Sequence, residues 1–143
     1  MDYNYETITD NPVEQFIPIQ QTGINLSYTY SNPDVVNQIE MQYPEMTAEY
    51  KRIMMEGYET FCAKQSNYGP SNISVGTSLQ TKDDIKLSLS GLFFRMNDKI
   101  QRIKQLVVLG AKDNVGEAVD DTYQDLSVYG VIAQLVSRGK WAK

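Results

Sequence analysis

The chain has 143 residues, 41% of them apolar, and a formal net charge of −5. This length is enough for one domain with its own core and too short for two comfortable ones. The only cysteine is Cys62 and there is no histidine, which excludes an internal disulfide, a Ser-His-Asp triad and a His-ligated zinc site within the chain. No apolar run reaches the ~18 residues that a membrane span needs. We therefore expect a soluble, cytoplasmic, one-domain protein.

Charge is distributed unevenly along the sequence. Residues 1–50 contain eight acidic side chains and no Lys or Arg, whereas residues 51–143 contain ten acidic and all 13 basic ones. We interpret residues 1–31 as an extended acidic arm, which either docks on the basic remainder of its own or a neighbouring subunit or is a solvated leader. Within it, residues 24–30 alternate apolar and polar side chains, as in a short strand or an extended arm. The overall negative charge disfavours duplex nucleic acid as the main partner.

The sequence after the arm has the periodicity of helices. The SNPD tetrapeptide at 31–34 begins a short helix that should end near Tyr43, the residue before Pro44. A second helix is predicted over residues 47–66, where apolar residues recur at three- and four-residue spacing. A polar loop without periodicity follows over 66–81, and a loop of that length in a compact domain is typical of a functional segment.

Two longer helices are predicted over residues 83–109 and 114–137, joined by a Gly-Ala-Lys-Asp turn. Helices joined by so short a turn pack antiparallel, and the 47–66 helix completes their core. The predicted fold class is all-α: an antiparallel helical bundle of three to four helices. It forms a single domain over residues 32–143, preceded by the irregular N-terminal arm.

Three basic side chains and one acidic side chain share a stripe beside the apolar face of the 83–109 helix: Arg95, Asp98, Lys99 and Arg102. Cations at this spacing suit a phosphate or another anion, because guanidinium groups bind pairs of oxygens. The alternative is a solvated face in which Asp98 pairs with Arg95 and Arg102.

The 114–137 helix carries a row of carboxylates that approaches its apolar face: Glu117, Asp121 and Asp125, followed by Tyr129. Each four-residue step turns about 40° around the helix axis, so Asp125 should lie at the core boundary. A carboxylate there needs a cation, a metal or hydrogen-bond donors. Two interpretations stay open: Asp121 and Asp125 bind Mg²⁺ together with substrate phosphates, or they pair with the basic stripe of the preceding helix.

A third block spans the end of the 47–66 helix and the start of the loop: Lys64, Asn67, Tyr68 and Gly69. Gly69 permits a positive-φ turn, Tyr68 offers a flat stacking surface, and Lys64 is a cation one helical turn away. A plain helix C-terminus would have the same composition.

Together the three blocks resemble the nucleotide modification associated domain family of phages and bacteria. The family pattern is approximately K-x-x-D-Y-G, R-x-x-D-K-x-x-R-x-x-x-L and E-x-x-x-D-T-x-x-D-L-x-x-Y, and the resemblance covers residues 47–137. Asn67 stands where an aspartate is expected; asparagine keeps hydrogen bonding but loses the charge. Residues 1–46 lie outside the resemblance.

The resemblance implies a helical domain associated with nucleotide metabolism or modification, often phage-borne. The favoured hypothesis is a protein that binds a nucleotide or nucleotide-derived signal without turnover and without a cofactor. Such a protein would sequester the signal as a counter-defence or assist a modification enzyme. Its ligand-binding residues would be Lys64, Asn67, Tyr68, Gly69, Arg95, Asp98, Lys99, Arg102 and Tyr129.

The alternative is a Mg²⁺-dependent nucleotide pyrophosphohydrolase, because the carboxylate row also resembles the all-α NTP pyrophosphatases. Glu117, Asp121 and Asp125 would then be the metal ligands, although the E-E-x-x-E half of that family's signature is absent. A third hypothesis, a structural or interaction protein, would use the acidic arm and the ten tyrosines.

The chain also has many large apolar side chains for a small helical core: ten Tyr, four Phe, six Met and one Trp. Several fall outside the helical stripes, including Phe16, Ile17 and Trp141. Such residues either pack onto the helices or contact a neighbouring subunit, since in water they would form an exposed apolar patch that favours association. We therefore predict a homo-oligomer in which the arm takes part.

Overall fold

The computed structural model describes residues 28–143, and every regular element in that range is a helix. The all-α fold class is thereby confirmed. Most of the predicted arm, residues 1–31, lies outside the described residues and stays a prediction; residues 28–30 of the predicted strand are described and have no regular structure. The chain divides into two units between Gln38 and Ile39, and the hydrophobic core lies in the second unit.

Five α-helices and one π-helical segment follow one another along residues 28–143. They are α1 (Pro33–Gln42), α2 (Pro44–Tyr68), α3 (Ser71–Ser74), α4 (Lys82–Ile103) with a π-helical extension (Lys104–Val108), and α5 (Val119–Ser137). The second helix begins three residues before the predicted position because proline is accepted in the first turn of a helix. The short α3 lies within the segment that was predicted to be a loop. None of these helices is long and apolar enough to cross a membrane.

The starts of α4 and α5 differ in whether a side chain accepts hydrogen bonds from the first backbone N–H groups of the helix. At the start of α4, Thr81 Oγ1 accepts a hydrogen bond from the N–H of Asp84 at 3.1 Å, and the Asp84 side chain accepts one from Thr81, which completes a capping box. Before α5, the Asp113 carboxylate instead accepts from Val115 at 2.9 Å and closes a turn. The helix therefore begins at Val119, five residues later than predicted, and Glu117 precedes it.

The core forms where α4 and α5 pack antiparallel, with α3 and the C-terminal residues closing it. Its buried apolar side chains are Ile73, Leu92, Val128, Ile132, Val136 and Trp141. Ser88 of α4 is also buried, and its hydroxyl donates to the carbonyl oxygen of Ile73 at 2.6 Å, which fixes α3 on α4.

Trp141 belongs to the core although it lies outside every helical stripe of the sequence. Its indole Nε1 donates to the carbonyl oxygen of Pro70 at 3.1 Å, and its ring meets Phe61 of α2 edge to face. Gly57 is buried where α2 crosses α5. A Cβ at that position would lie 3.6 Å from Cγ2 of Val128, so the two helices are already close there. Thus only the C-terminal half of α2 contributes to the core.

Candidate functional site

A cavity of about 350 Å³ lies between α2, α3, α4 and α5. Its polar and aromatic lining comes from all four helices: Phe61, Lys64, Gln65, Tyr68, Asn72, Arg95, Asp125 and Tyr129. The fold therefore brings residues of all three sequence blocks to one place. The rest of the lining includes core side chains such as Val128 and Ile132, so the polar groups are backed by packed apolar side chains.

Asp125 is the centre of a series of ion pairs beside this cavity. One of its carboxylate oxygens, Oδ1, lies 2.7 Å from Nζ of Lys64, and Oδ2 lies 2.7 Å from Nζ of Lys99. Lys99 Nζ also lies 3.6 Å from Oε1 of Glu117. The Asp125 side chain is 15% exposed, so it occupies the core boundary that its position along the helix predicts.

The series continues through Arg102. Its Nη1 is bonded to the Glu117 carboxylate, and its Nη2 lies 2.7 Å from the Glu117 carbonyl oxygen and 3.2 Å from Oδ2 of Asp113. The side chain of Arg102 is 18% exposed. Two carboxylates and one carbonyl therefore hold Arg102 against the segment that precedes α5.

Three groups of this series have shifted pKa values. Burial by itself raises the pKa of Asp125, but the hydrogen bonds from Lys64 and Lys99 outweigh it and leave that pKa below its ordinary value. The hydrogen bond to Asp125 raises the pKa of Lys99, against the opposite effect of burial. The backbone N–H of Val115 is the largest cause of a lowered pKa at Asp113. All three groups are therefore charged at neutral pH.

Arg95 differs from the other two cations of its stripe. Its Nη2 donates to the backbone carbonyl oxygen of Asn72 at 3.0 Å, and it forms no ion pair with a carboxylate of residues 28–143. The side chain is half-buried and lines the cavity. Because a guanidinium group carries five N–H donors, this arrangement leaves Arg95 with donors for an anionic ligand.

Asn72 is one of the cavity residues that the sequence analysis missed, with Phe61 and Gln65. Its backbone carbonyl holds Arg95, and its side-chain Oδ1 is buried without a hydrogen-bond partner. A buried amide oxygen without a donor destabilises the fold. Such a group is consistent with a functional role, in which a bound molecule supplies the missing donor. The length of the polar loop indicated function, but nothing in its composition singled out Asn72.

Other predicted ligand-binding residues lie outside the cavity lining. Asn67 and Asp98 are exposed, and Asp98 does not pair with Arg95 or Arg102. Gly69 adopts the positive φ expected of it, +67°, where its N–H caps the end of α2.

Of the three predicted metal ligands, Glu117, Asp121 and Asp125, the first and third both contact Nζ of Lys99. The first and third are bound to cations, and Asp121 is exposed. Across residues 28–143 no group of three or more Asp, Glu, Cys or His side chains is arranged to hold a metal ion. Cations already bind two of the three carboxylates, and the metal-ligand role of these residues stays a prediction.

The segment that contains this geometry also has a recognisable family signature. A family profile described as Nucleotide modification associated domain 1 matches residues 64–136, about half of the chain. The chain belongs to this family. The match begins at Lys64 and includes Arg95, Asp125 and Tyr129, so the matched segment contains most of the cavity lining and the ion pairs around Asp125. No curated protein and no solved structure matches the chain.

Proposed function

We propose that this nucleotide modification associated domain binds a nucleotide or nucleotide-derived small molecule in the cavity and does not turn it over. The observation that carries the proposal is Arg95, a half-buried cation of the cavity that is paired with a backbone carbonyl and not with a carboxylate. A cavity of about 350 Å³ lies within the usual range for small-molecule sites. The family description supports the nucleotide class.

Each polar group of the cavity has a role in this proposal. Arg95 binds the phosphate, with Lys64 as a second cation, because guanidinium and ammonium groups form strong charge-assisted hydrogen bonds to phosphate oxygens. Tyr68, which is 64% exposed, stacks on the base. Tyr129 lines the cavity and completes the aromatic wall.

The remaining predicted residues act less directly. Lys99 and Arg102 are held by carboxylates and, unlike Lys64, do not line the cavity, so they position Asp125 and Glu117 and add positive potential near the ligand. This arrangement favours binding over metal-dependent hydrolysis, because two of the three carboxylates needed for a metal are already neutralised by cations. In a phage-encoded protein, binding of this kind would sequester a nucleotide signal or assist a modification enzyme in the host cytoplasm.

The proposal also includes a homo-oligomer. Many large apolar side chains of residues 28–143 remain exposed in the single chain, among them Met46, Tyr50, Phe93, Phe94 and Val108. A soluble monomer rarely leaves so much apolar surface in contact with water.

The test is one incubation of the purified full chain with a panel of ribonucleotides, with and without Mg²⁺. Unbound nucleotide is removed by filtration, the protein is denatured, and the released ligand is identified by chromatography. We expect a nucleotide that is depleted from the filtrate and recovered intact, with Arg95→Gln showing no depletion. New products that disappear with a chelator would identify a hydrolase, and no depletion of any nucleotide would overturn the binding proposal.

A further inference from the structure

The N-terminal half of α2 has no core to pack against within its own unit. Every large apolar side chain that precedes Gly57 in this helix is exposed: Met46, Tyr50, Ile53, Met54 and Met55. A helical stretch of this length is marginal in water unless an amphipathic face is packed. The helix is nevertheless continuous from Pro44 to Tyr68, so its N-terminal half needs a partner.

Uncharged side chains form one continuous stripe along α2: Thr47, Tyr50, Met54, Tyr58 and Phe61. At about 100° per residue, all of them lie within about 40° of Met54 around the helix axis. The opposite side of the helix carries charges that are already paired, because Arg52 forms ion pairs with both Glu49 and Glu56. Lys51 is the charged residue of α2 nearest the stripe, about 60° from Met54 around the helix axis, and its ammonium is paired with Glu40.

The stripe is symmetric about Met54. Tyr50 and Tyr58 lie four residues before and after it, and Thr47 and Phe61 lie seven residues before and after it. A twofold axis that crosses α2 at Met54 exchanges the members of each pair. A second copy packed antiparallel then places Tyr50 on Tyr58 of the partner subunit at both ends of the contact. This self-complementarity is what a twofold interface requires.

The surface next to the stripe extends the apolar area. α2 and α5 form a groove of about 280 Å³ whose lining is almost entirely apolar and includes Ile53, Val131 and Leu135. Tyr50 is 68% and Tyr58 59% exposed, and a tyrosine buries ~150–250 Å² when it is covered. With Ile53, Met54 and Val131, which are 48%, 46% and 45% exposed, the two tyrosines form an apolar patch of roughly 300–600 Å², the size of the largest patches on monomers, which are often interaction sites.

We propose that a second copy of this chain covers the stripe, with α2 packed against α2 about a twofold axis at Met54. The inference rests on the homo-oligomer in the proposed function and identifies its interface. It does not require the N-terminal arm, and Phe61 is the stripe residue that also lines the cavity around Arg95.

The test compares masses of full-length variants by light scattering and sedimentation. We expect the wild-type protein to be a dimer. Met54→Glu places two carboxylates next to each other on the twofold axis, so this variant should dimerise at least 10-fold more weakly. Val115→Glu is the matched control, because Val115 is 82% exposed and lies outside the stripe; it should remain a dimer. Circular dichroism of each variant checks that α2 is still folded.

A second pair of variants keeps the test valid if Met54→Glu fails to fold. In a Cys62→Ser background, Met54→Cys should be cross-linked into dimers by a short bismaleimide, whereas Val115→Cys should not. A wild-type dimer that survives Met54→Glu and resists cross-linking at position 54 overturns the interface and leaves the homo-oligomer intact. A monomeric wild-type protein overturns both. Nucleotide depletion by the Met54→Glu variant reports separately on the cavity.

Discussion

Nζ of Lys64 in α2 lies 2.7 Å from Oδ1 of Asp125 in α5, across 61 positions of the sequence. The second oxygen of Asp125 is bonded to Lys99 of α4, so one carboxylate joins three helices beside the cavity. Its pKa is lowered and the group stays charged. Asp125 is therefore both a packing element of the domain and part of the candidate site.

Replacing Asp125 with alanine tests its structural role. We expect Asp125→Ala to lower the free energy of unfolding by about 1.5–3 kcal/mol, the range for hydrogen bonds to charged groups. The loss stays below that of a fully buried pair, because Lys64 is partly exposed and Lys99 can move toward Glu117. Urea unfolding followed by circular dichroism measures it.

The matched control is Asp121→Ala, one helical turn earlier on α5 and exposed. This variant should change the free energy of unfolding by no more than about 0.5 kcal/mol. If Asp125→Ala is instead more stable than the wild type in chelator, the carboxylate was under electrostatic repulsion. That result would contradict the ion-pair interpretation and favour a metal site.

The stability of the domain should depend on pH through the same contacts. Because the pKa of Asp125 is lowered on folding, its contribution is fully present above its ordinary value of 3.8 and is lost as the pH falls through the folded value. The pKa of Lys99 is raised, so its contribution is complete below 10.5 and is lost as the pH rises through the folded value. Asp125→Asn should reduce the slope of the acid limb in a series of urea midpoints; an unchanged slope would assign the acid loss to other carboxylates.

Arg95 and Arg102 share a helical stripe but should respond differently to substitution. Arg95→Gln should weaken nucleotide binding by about 1.5–3 kcal/mol, because it removes charge-assisted hydrogen bonds to the ligand, and should change stability little. Arg102→Ala should mainly lower stability, since it leaves Glu117 and Asp113 without their cation. Calorimetry with the nucleotide from the depletion assay and urea unfolding separate the two effects. Equal losses of affinity with intact stability would return Arg102 to the ligand site.

The sequence was sufficient for the helices and for the pairing of α4 with α5, because apolar periodicity over long segments is a strong signal. It overestimated how much of each apolar face is buried. Phe93 and Ile100 fit the period of α4, yet they are 59% and 52% exposed. Periodicity places a side chain on a face, and the width of the packed contact then depends on the neighbouring helices.

The sequence could not predict which partner each cation of the basic stripe binds. Spacing places Arg95, Lys99 and Arg102 together, but their partners depend on where α5 begins. That start is set by the turn that Asp113 closes, and a local hydrogen bond of this kind competes with helix capping. The hydrogen bond from Arg95 to a backbone carbonyl could not be predicted from residue types, because every residue has a carbonyl oxygen that can accept it.

Magnesium should have no effect on the domain by itself. Because Glu117 and Asp125 are bound to cations and Asp121 is exposed, adding Mg²⁺ or a chelator to the ligand-free protein should leave the melting temperature unchanged. Thermal unfolding in both buffers measures this, with Asp121→Asn as a control for nonspecific ion binding. A rise in melting temperature with Mg²⁺ that disappears in Asp121→Asn would revive the hydrolase alternative.

The predicted N-terminal arm is the other segment proposed for the homo-oligomer, and its charge gives a test. Residues 1–31 carry four acidic side chains and no basic ones, whereas the chain from Lys51 onward has an excess of bases. If the arm docks on a neighbouring subunit, deleting residues 1–31 should weaken the dimer, and more so at low salt, because screening shortens the range of charge attraction. Sedimentation of full-length and truncated protein at two salt concentrations gives both dissociation constants. If the truncated and full-length proteins have the same dissociation constant at each salt concentration, the arm is a solvated leader and does not contribute to the dimer.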